Sequence, residues 1–117
     1  MSVKHHNRPA VSKARASVFA ALGDETRLSV LTKLTYGKPQ SISRLTAGTS
    51  LTRQAVTKHL RVLEGAGVVR CLRVGRESRF ELEIKPIDDV RKYLEDVCKQ
   101  WDSALARLKS LVEEKAK

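Results

Sequence analysis

Aromatic side chains are scarce in this 117-residue chain: one Trp, two Tyr and two Phe, 4% of the total. That argues against a single-stranded RNA binder, where stacking of bases on aromatic rings dominates affinity. Only two cysteines occur, Cys71 and Cys98, too far apart in sequence to suggest a stapled secreted scaffold. A reducing cytoplasm is the expected compartment. No apolar run approaches the roughly 20 residues of a membrane span, and the opening MSVKHHNRPAVSK has no apolar h-region. Residues 1–12 are expected to form a disordered basic tail, with one domain over 13–117. Catalytic signatures are missing too. There is no HExxH or CxxC motif, no phosphate-binding Gly loop and no Ser/His/Asp set at workable spacing. Gly65-Ala66-Gly67 reads as a helix terminus. Neither an enzyme nor a cofactor is expected.

Acidic residues are the other shortage, 13 against 23 Lys/Arg, for a net charge of +10. The imbalance is local. Residues 1–66 hold 11 Lys/Arg against 3 Asp/Glu, residues 67–85 hold 5 against 3, and residues 86–117 hold 7 of each. A polyanion is the partner this implies, because each cation that displaces a condensed counterion adds sequence-independent affinity. A solvated basic surface is the plainer alternative. An anionic membrane surface fits less well, since no basic amphipathic helix with aromatic anchors is present.

The apolar spacing predicts a mainly helical chain with one small β-hairpin. A first helix over 14–22 places Val18, Phe19 and Leu22 on one face. Asp24 caps a second, about 25–35, burying Leu28, Leu31 and Leu34 with Val30 beside them. Ser41 caps a short third helix, 42–47, with Ile42 and Leu45 facing inward. Thr52 caps a fourth, 53–66, whose inner stripe is Val56, Leu60 and Leu63, and Gly67 ends it. Val68–Val74 and Ser78–Ile84 read as strands joined by Gly75-Arg76-Glu77. Pro86 opens the last helix, about 87–115.

Two patterns carry the functional reading. Arg53, Gln54, Thr57, Lys58 and Arg61 recur at i, i+1, i+4, i+5 and i+8, opposite the inner stripe. A helix reads base edges in the major groove, and this face carries suitable groups. Gln54 can pair with adenine, Arg53 or Lys58 can reach guanine or a phosphate, Thr57 can touch a thymine methyl, and Arg61 suits the backbone. His59 lies between the two faces, as either a packed histidine or a DNA contact. Arg73, Arg76 and Arg79 surround the hairpin turn, where arginines suit phosphates or the minor groove; an edge hairpin protected by charge is the alternative.

The second pattern is a seam. Ile87, Val90, Leu94, Val97, Trp101, Ala104, Leu108 and Leu111 alternate in steps of three and four, and Leu105 adjoins them. About 29 residues span roughly 43 Å, longer than so small a body can cover. Part of the seam is therefore expected to meet a second copy, with a helix folded back on its own core as the alternative.

The runs LGDETRLSVLTKL (22–34), LTRQAVTKHLRVLEGAGVV (51–69) and RVGRESRFEL (73–82) resemble the ArsR/SmtB family of winged helix-turn-helix regulators. The resemblance covers about residues 14–112. It implies an α-α-α-α-β-β-α fold and a homodimer through the first and last helices, involving Val18, Phe19, Val90, Leu94, Val97, Trp101, Leu105 and Leu108. Repression by promoter occlusion, relieved by an inducer, is implied as well. Thr52, Arg53, Gln54, Thr57, Lys58 and His59 fall in the family's recognition helix, and Arg73, Arg76 and Arg79 in its wing. Metal-sensing members carry a cysteine pair on the third helix or Asp and His ligands on the last. Here the third helix, SISRLTAG, has no cysteine, and residues 86–117 have Asp88 and Asp89 but no histidine. No metal site is expected. A thiol or arsenic(III) switch through Cys71 and Cys98 is the alternative mode of regulation, and a small-molecule effector is left open. A winged-helix module for protein or RNA is the competing class.

Overall fold

The computed structural model describes residues 12–115. Most of the expected tail thus lies outside the described residues, but Ser12 does not. It is extended, and its hydroxyl accepts the Arg15 N–H at 3.2 Å, capping helix α1, Lys13–Leu22. Helix α2 (Glu25–Thr35), strand β1 (Gln40–Ser41) and helices α3 (Ile42–Thr46) and α4 (Arg53–Gly65) follow. Strands β2 (Val69–Val74) and β3 (Glu77–Leu82) precede the last helix, α5 (Ile84–Lys115).

The capping residues act as the sequence suggests. Asp24, Ser41 and Thr52 each accept the amide three residues on, from Arg27 (3.0 Å), Arg44 (3.2 Å) and Ala55 (3.0 Å). Each such cap contributes about 1 kcal/mol by satisfying an N–H that the first turn leaves open. At the far end of α4, Gly67 stands at φ 79°. Its N–H donates to the Glu64 carbonyl and that of Val68 to Leu63, a Schellman closure. Two basic side chains close other helix ends from a distance. Arg27 donates to the carbonyls of Ala21 (2.6 Å) and Ala20 (3.2 Å), and Lys33 to that of Leu45 (3.1 Å).

Val18, Val30, Leu31, Leu34, Leu45, Val56, Leu60, Leu63, Val68, Phe80 and Val90 share one buried core with a few small neighbours. Leu28 departs from expectation, being 48% exposed. At about 100° per residue it lies roughly 110° from the centre of Val30, Leu31 and Leu34, so the inward face of α2 passes it by.

The sheet has the order β1-β3-β2, antiparallel throughout. Val74 pairs with Glu77, so the hairpin turn is Gly75-Arg76 alone and Glu77 already belongs to β3. Gly75 takes φ 64° while Arg76 stays negative, the pattern of a type II′ turn, which matches strand twist. Ile84 joins α5 rather than β3, and Pro86 is the third residue of that helix, still within the turn whose N–H groups lack helical acceptors. Strand β1 is not among the elements the apolar spacing predicts. Its two residues pair Gln40 with Phe80 and Ser41 with Arg79. Two residues display no periodicity, so only their long-range partners define them.

Helix α5 spans about 48 Å at 1.5 Å per residue, and the molecule measures 71 Å in its longest dimension. Its first turns rest on α1. Arg15 grips Asp89 through two bonds of 2.8 and 3.2 Å, and the rings of Phe19 and Tyr93 meet edge to face at 5.9 Å. Beyond Val90 the seam leaves the body: Leu94, Trp101, Leu105, Leu108, Leu111 and Val112 are exposed, Trp101 by 64%. Val18 and Val90, expected at an intermolecular contact, are instead buried in the chain's own core.

Candidate nucleic-acid interface

The local fold that presents α4 is short and rigidly tied. After α3, Gly48 turns the chain at φ 79°. The Thr49 hydroxyl donates to the Thr46 carbonyl at 2.6 Å and accepts the Leu51 N–H at 3.2 Å. Leu51 packs against the core, and Thr52 then starts α4. Val56, Leu60 and Leu63 have no exposed surface, which locks the rotation of α4 about its axis. Its opposite side must therefore face outward.

That side carries the residues the spacing selected. Arg53, Gln54, Thr57, Lys58 and Arg61 line one open groove of about 390 Å³. Gln54, Lys58 and Arg61 are exposed, and their side chains have no hydrogen-bond or ionic partner among the described residues. The Thr57 hydroxyl donates to the Arg53 carbonyl at 2.7 Å, so its methyl group and a lone pair are what it can offer outward. Thr52 uses its side chain as the cap.

His59 takes a different place from the rest of the set. It is partly buried, and its Nδ1 lies 3.8 Å from Oδ2 of Asp24 at the start of α2. It flanks the inner stripe and faces the body, not the groove, because position 59 is only about 65° from the centre of that stripe. The Arg27 N–H, chiefly, holds the Asp24 carboxyl below its ordinary range, and the charges of Arg27 and His59 act in the same direction.

The wing arginines diverge. Strand alternation puts Arg73 and Arg79 on opposite faces of the hairpin, opposite Ser78 and Leu72 respectively. Arg73 donates to the Ser78 hydroxyl at 3.3 Å, and Arg79 donates to Glu77 at 2.6 Å. Arg76, at the turn, is exposed and without a partner among the described residues. It closes one side of a cleft of about 510 Å³ whose other walls include Ser41, Ser43, Arg53 and Glu77. Ser43 did not stand out in the sequence. Its relation to the wing depends on the β1–β3 pairing, for which no local signal exists.

The cysteines lie elsewhere. Cys71 is on β2 and Cys98 midway along α5, both free and exposed. Arg70, the neighbour of Cys71, is engaged by Glu81 and by Glu83 at 3.1 Å. Asp88 is bound by Arg91 at 2.7 Å and Lys92 at 3.3 Å, Asp89 by Arg15. Those partners hold both carboxyls below their usual range, Arg91 foremost for Asp88 and Arg15 for Asp89. Among the described residues, no group of three or more His, Cys, Asp or Glu is placed to hold a metal ion. None of their helices is long and apolar enough to cross a membrane.

Comparison with known proteins agrees with this geometry. A family model described as a helix-turn-helix domain matches residues 22–71, from the end of α1 to the start of β2. An uncharacterized HTH-type transcriptional regulator of Bacillus subtilis (strain 168), YuzN, is 35% identical over 82 residues, covering 65% of this chain and 89% of the relative. Among solved structures, an ArsR-like transcriptional regulator from Rhodococcus sp. RHA1 is 40% identical with a TM-score of 0.74, covering 84% of this chain and 92% of that one. Another ArsR family transcriptional regulator is 29% identical at a TM-score of 0.71, covering 77% and 98% respectively. A helix-turn-helix with an attached wing, on a chain this similar over nearly the whole length of its relatives, has one reading: the protein belongs to the ArsR-like family of DNA-binding, winged helix-turn-helix transcriptional regulators.

Proposed function

We propose that this protein acts as a homodimer, binds an inverted-repeat operator in a sequence-specific manner and represses transcription from it, in the cytoplasm. The observation that carries the proposal is the outer face of α4, where Gln54, Lys58 and Arg61 stand exposed and unengaged beside Thr57. Charged and amide side chains without partners among the described residues suit a ligand that supplies phosphates and base edges. In this reading Gln54 and Lys58 enter the major groove, Arg61 takes the flanking backbone, and Arg76 reaches phosphates from the wing. Arg73 and Arg79 give up their intramolecular bonds to join it or remain in the hairpin. His59 steadies α4 against α2 instead of touching DNA.

The exposed seam of α5 supports the dimer. Leu94, Trp101, Leu105 and Leu108, with half-buried Val97, form an apolar strip that the chain's own body leaves uncovered. A two-fold interface between identical strips covers both at once, with Phe19 of α1 at its margin. Two copies of α4 then face one side of a duplex about 34 Å apart, one helical turn. Selection of duplexes from a randomised pool, followed by gel-shift titration against competitor DNA, tests the proposal. The expected product is a palindrome bound as two chains per site. Equal affinity for every duplex would refute it.

A further inference from the structure

We propose that Ser43, Arg53 and Arg76 form a clamp for a single DNA backbone phosphate, so that Arg53 fixes register and does not read a base. The proposal rests on the DNA-binding reading and assigns one ligand, a phosphodiester, to the cleft between the helix-turn-helix and the wing.

The geometry points there from three sides. Arg53 is the first residue of α4, where a side chain leans back toward the preceding helix. Its Nη1 donates to the Ser43 hydroxyl of α3, which holds the guanidinium at the mouth of the cleft and away from the far end of the reading groove. That bond occupies a lone pair of Ser43 and leaves the Ser43 O–H proton without an acceptor among the described residues. The remaining N–H groups of the Arg53 fork are likewise open. Arg76 faces the same cleft from the hairpin turn and has no partner among the described residues.

Charge makes the cleft selective for an anion. Its one acidic wall residue, Glu77, is engaged by Arg79 at 2.6 Å, which offsets its field. Ser41 and Ser78, like Ser43, accept a bond, from the Arg44 N–H and the Arg73 guanidinium respectively, and keep their own O–H protons to donate. Two cations, three serine O–H protons without an acceptor among the described residues and no unpaired acid converge on a cleft of about 510 Å³, open to solvent and contiguous with the reading face through Arg53. A forked guanidinium matches the paired oxygens of a phosphodiester. The β1–β3 pairing holds α3 against the wing, so the walls are set before DNA arrives.

Methylphosphonate substitution tests this on the intact protein with a duplex selected as above. Each linkage of one half-site is neutralised in turn, and affinity is compared for wild type, Arg53→Gln, Arg76→Gln and Ser43→Ala. One linkage is expected to cost wild type about tenfold, as for loss of a charge-assisted hydrogen bond. Arg53→Gln should be nearly insensitive at that linkage, Arg76→Gln partly so, and Ser43→Ala should lose less than either arginine variant. Base preferences should stay the same in all three, and the salt slope should fall by no more than about 1 on removal of either arginine, because the two share one phosphate. If Arg53→Gln keeps the full sensitivity, or alters preference at one base pair, the clamp is wrong and Arg53 reads sequence. If wild type binds no duplex at all, the regulator reading fails together with the clamp. All three residues are exposed, and circular dichroism of each variant checks that the fold is retained.

Discussion

Helices α4 and α5 carry the same kind of pattern, an apolar stripe against a charged face, and the fold treats them oppositely. The stripe of α4, Val56, Leu60 and Leu63, is fully covered by α1, α2 and α3, so its polar face is the one left to act. The stripe of α5 is covered only at Val90 and its neighbours, and from Leu94 onward the apolar face is the one left open. An amphipathic helix therefore has two possible working faces. Which one is used depends on whether the chain can bury the other.

The sharpest way to break this contrast is to truncate one residue of each stripe. Leu60→Ala should lower folding stability by about 2–5 kcal/mol in urea unfolding, the range for a buried leucine. Leu105→Ala should alter the stability of dilute monomer far less, because that side chain is 54% exposed and lies outside the buried core. Equal losses for the two would mean that α5 folds back on the body in solution.

Next in size is the double change Leu94→Glu with Leu108→Glu. It should give a monomer by sedimentation velocity and weaken operator binding by at least about tenfold, since two linked sites become two separate ones. An intact dimer would reject the seam as the interface.

On α4, Gln54→Ala should change preference at one base pair per half-site, worth about 1–3 kcal/mol, while Arg76→Ala should weaken binding to all sequences alike. Binding isotherms on single-base variants separate the two outcomes. An unchanged preference after Gln54→Ala would move the reading role to other residues of the face.

The smallest expected effect concerns the one part of α5 that is anchored. Asp89→Asn removes the grip of Arg15. Because the Asp89 carboxyl is held below its unfolded value, chiefly by Arg15, its contribution is complete above about pH 4 and is lost as pH falls through the depressed value. The stability gap between wild type and Asp89→Asn should thus be slight, constant near neutrality, and vanish in acid. A gap that widened on acidification would contradict the pairing.

Local chemistry made much of the molecule readable beforehand. Asp24, Ser41 and Thr52 cap helices because short acceptor side chains at those positions satisfy the next turn, whatever lies around them. The face of α4 was legible for the same reason, since helical period alone sorts Gln54 and Lys58 from Val56 and Leu60. What escaped were relations between segments. His59 was equivocal until Asp24 was placed beside it. The arginines of the wing form one cluster in sequence, but strand alternation separates Arg79 from Arg73, and Glu77 engages Arg79 while Arg76 stays exposed at the turn. Val18 looked like interface and is core.

The helices, their caps, the hairpin and the outward face of α4 follow from local sequence, because periodicity and capping act within a few residues. That two residues, Gln40 and Ser41, join the sheet, and that Ser43 and Arg53 share a cleft with Arg76 of the wing, follows from the packing of the folded chain. Contacts between residues some thirty positions apart depend on how the whole chain packs, and no local stretch encodes them.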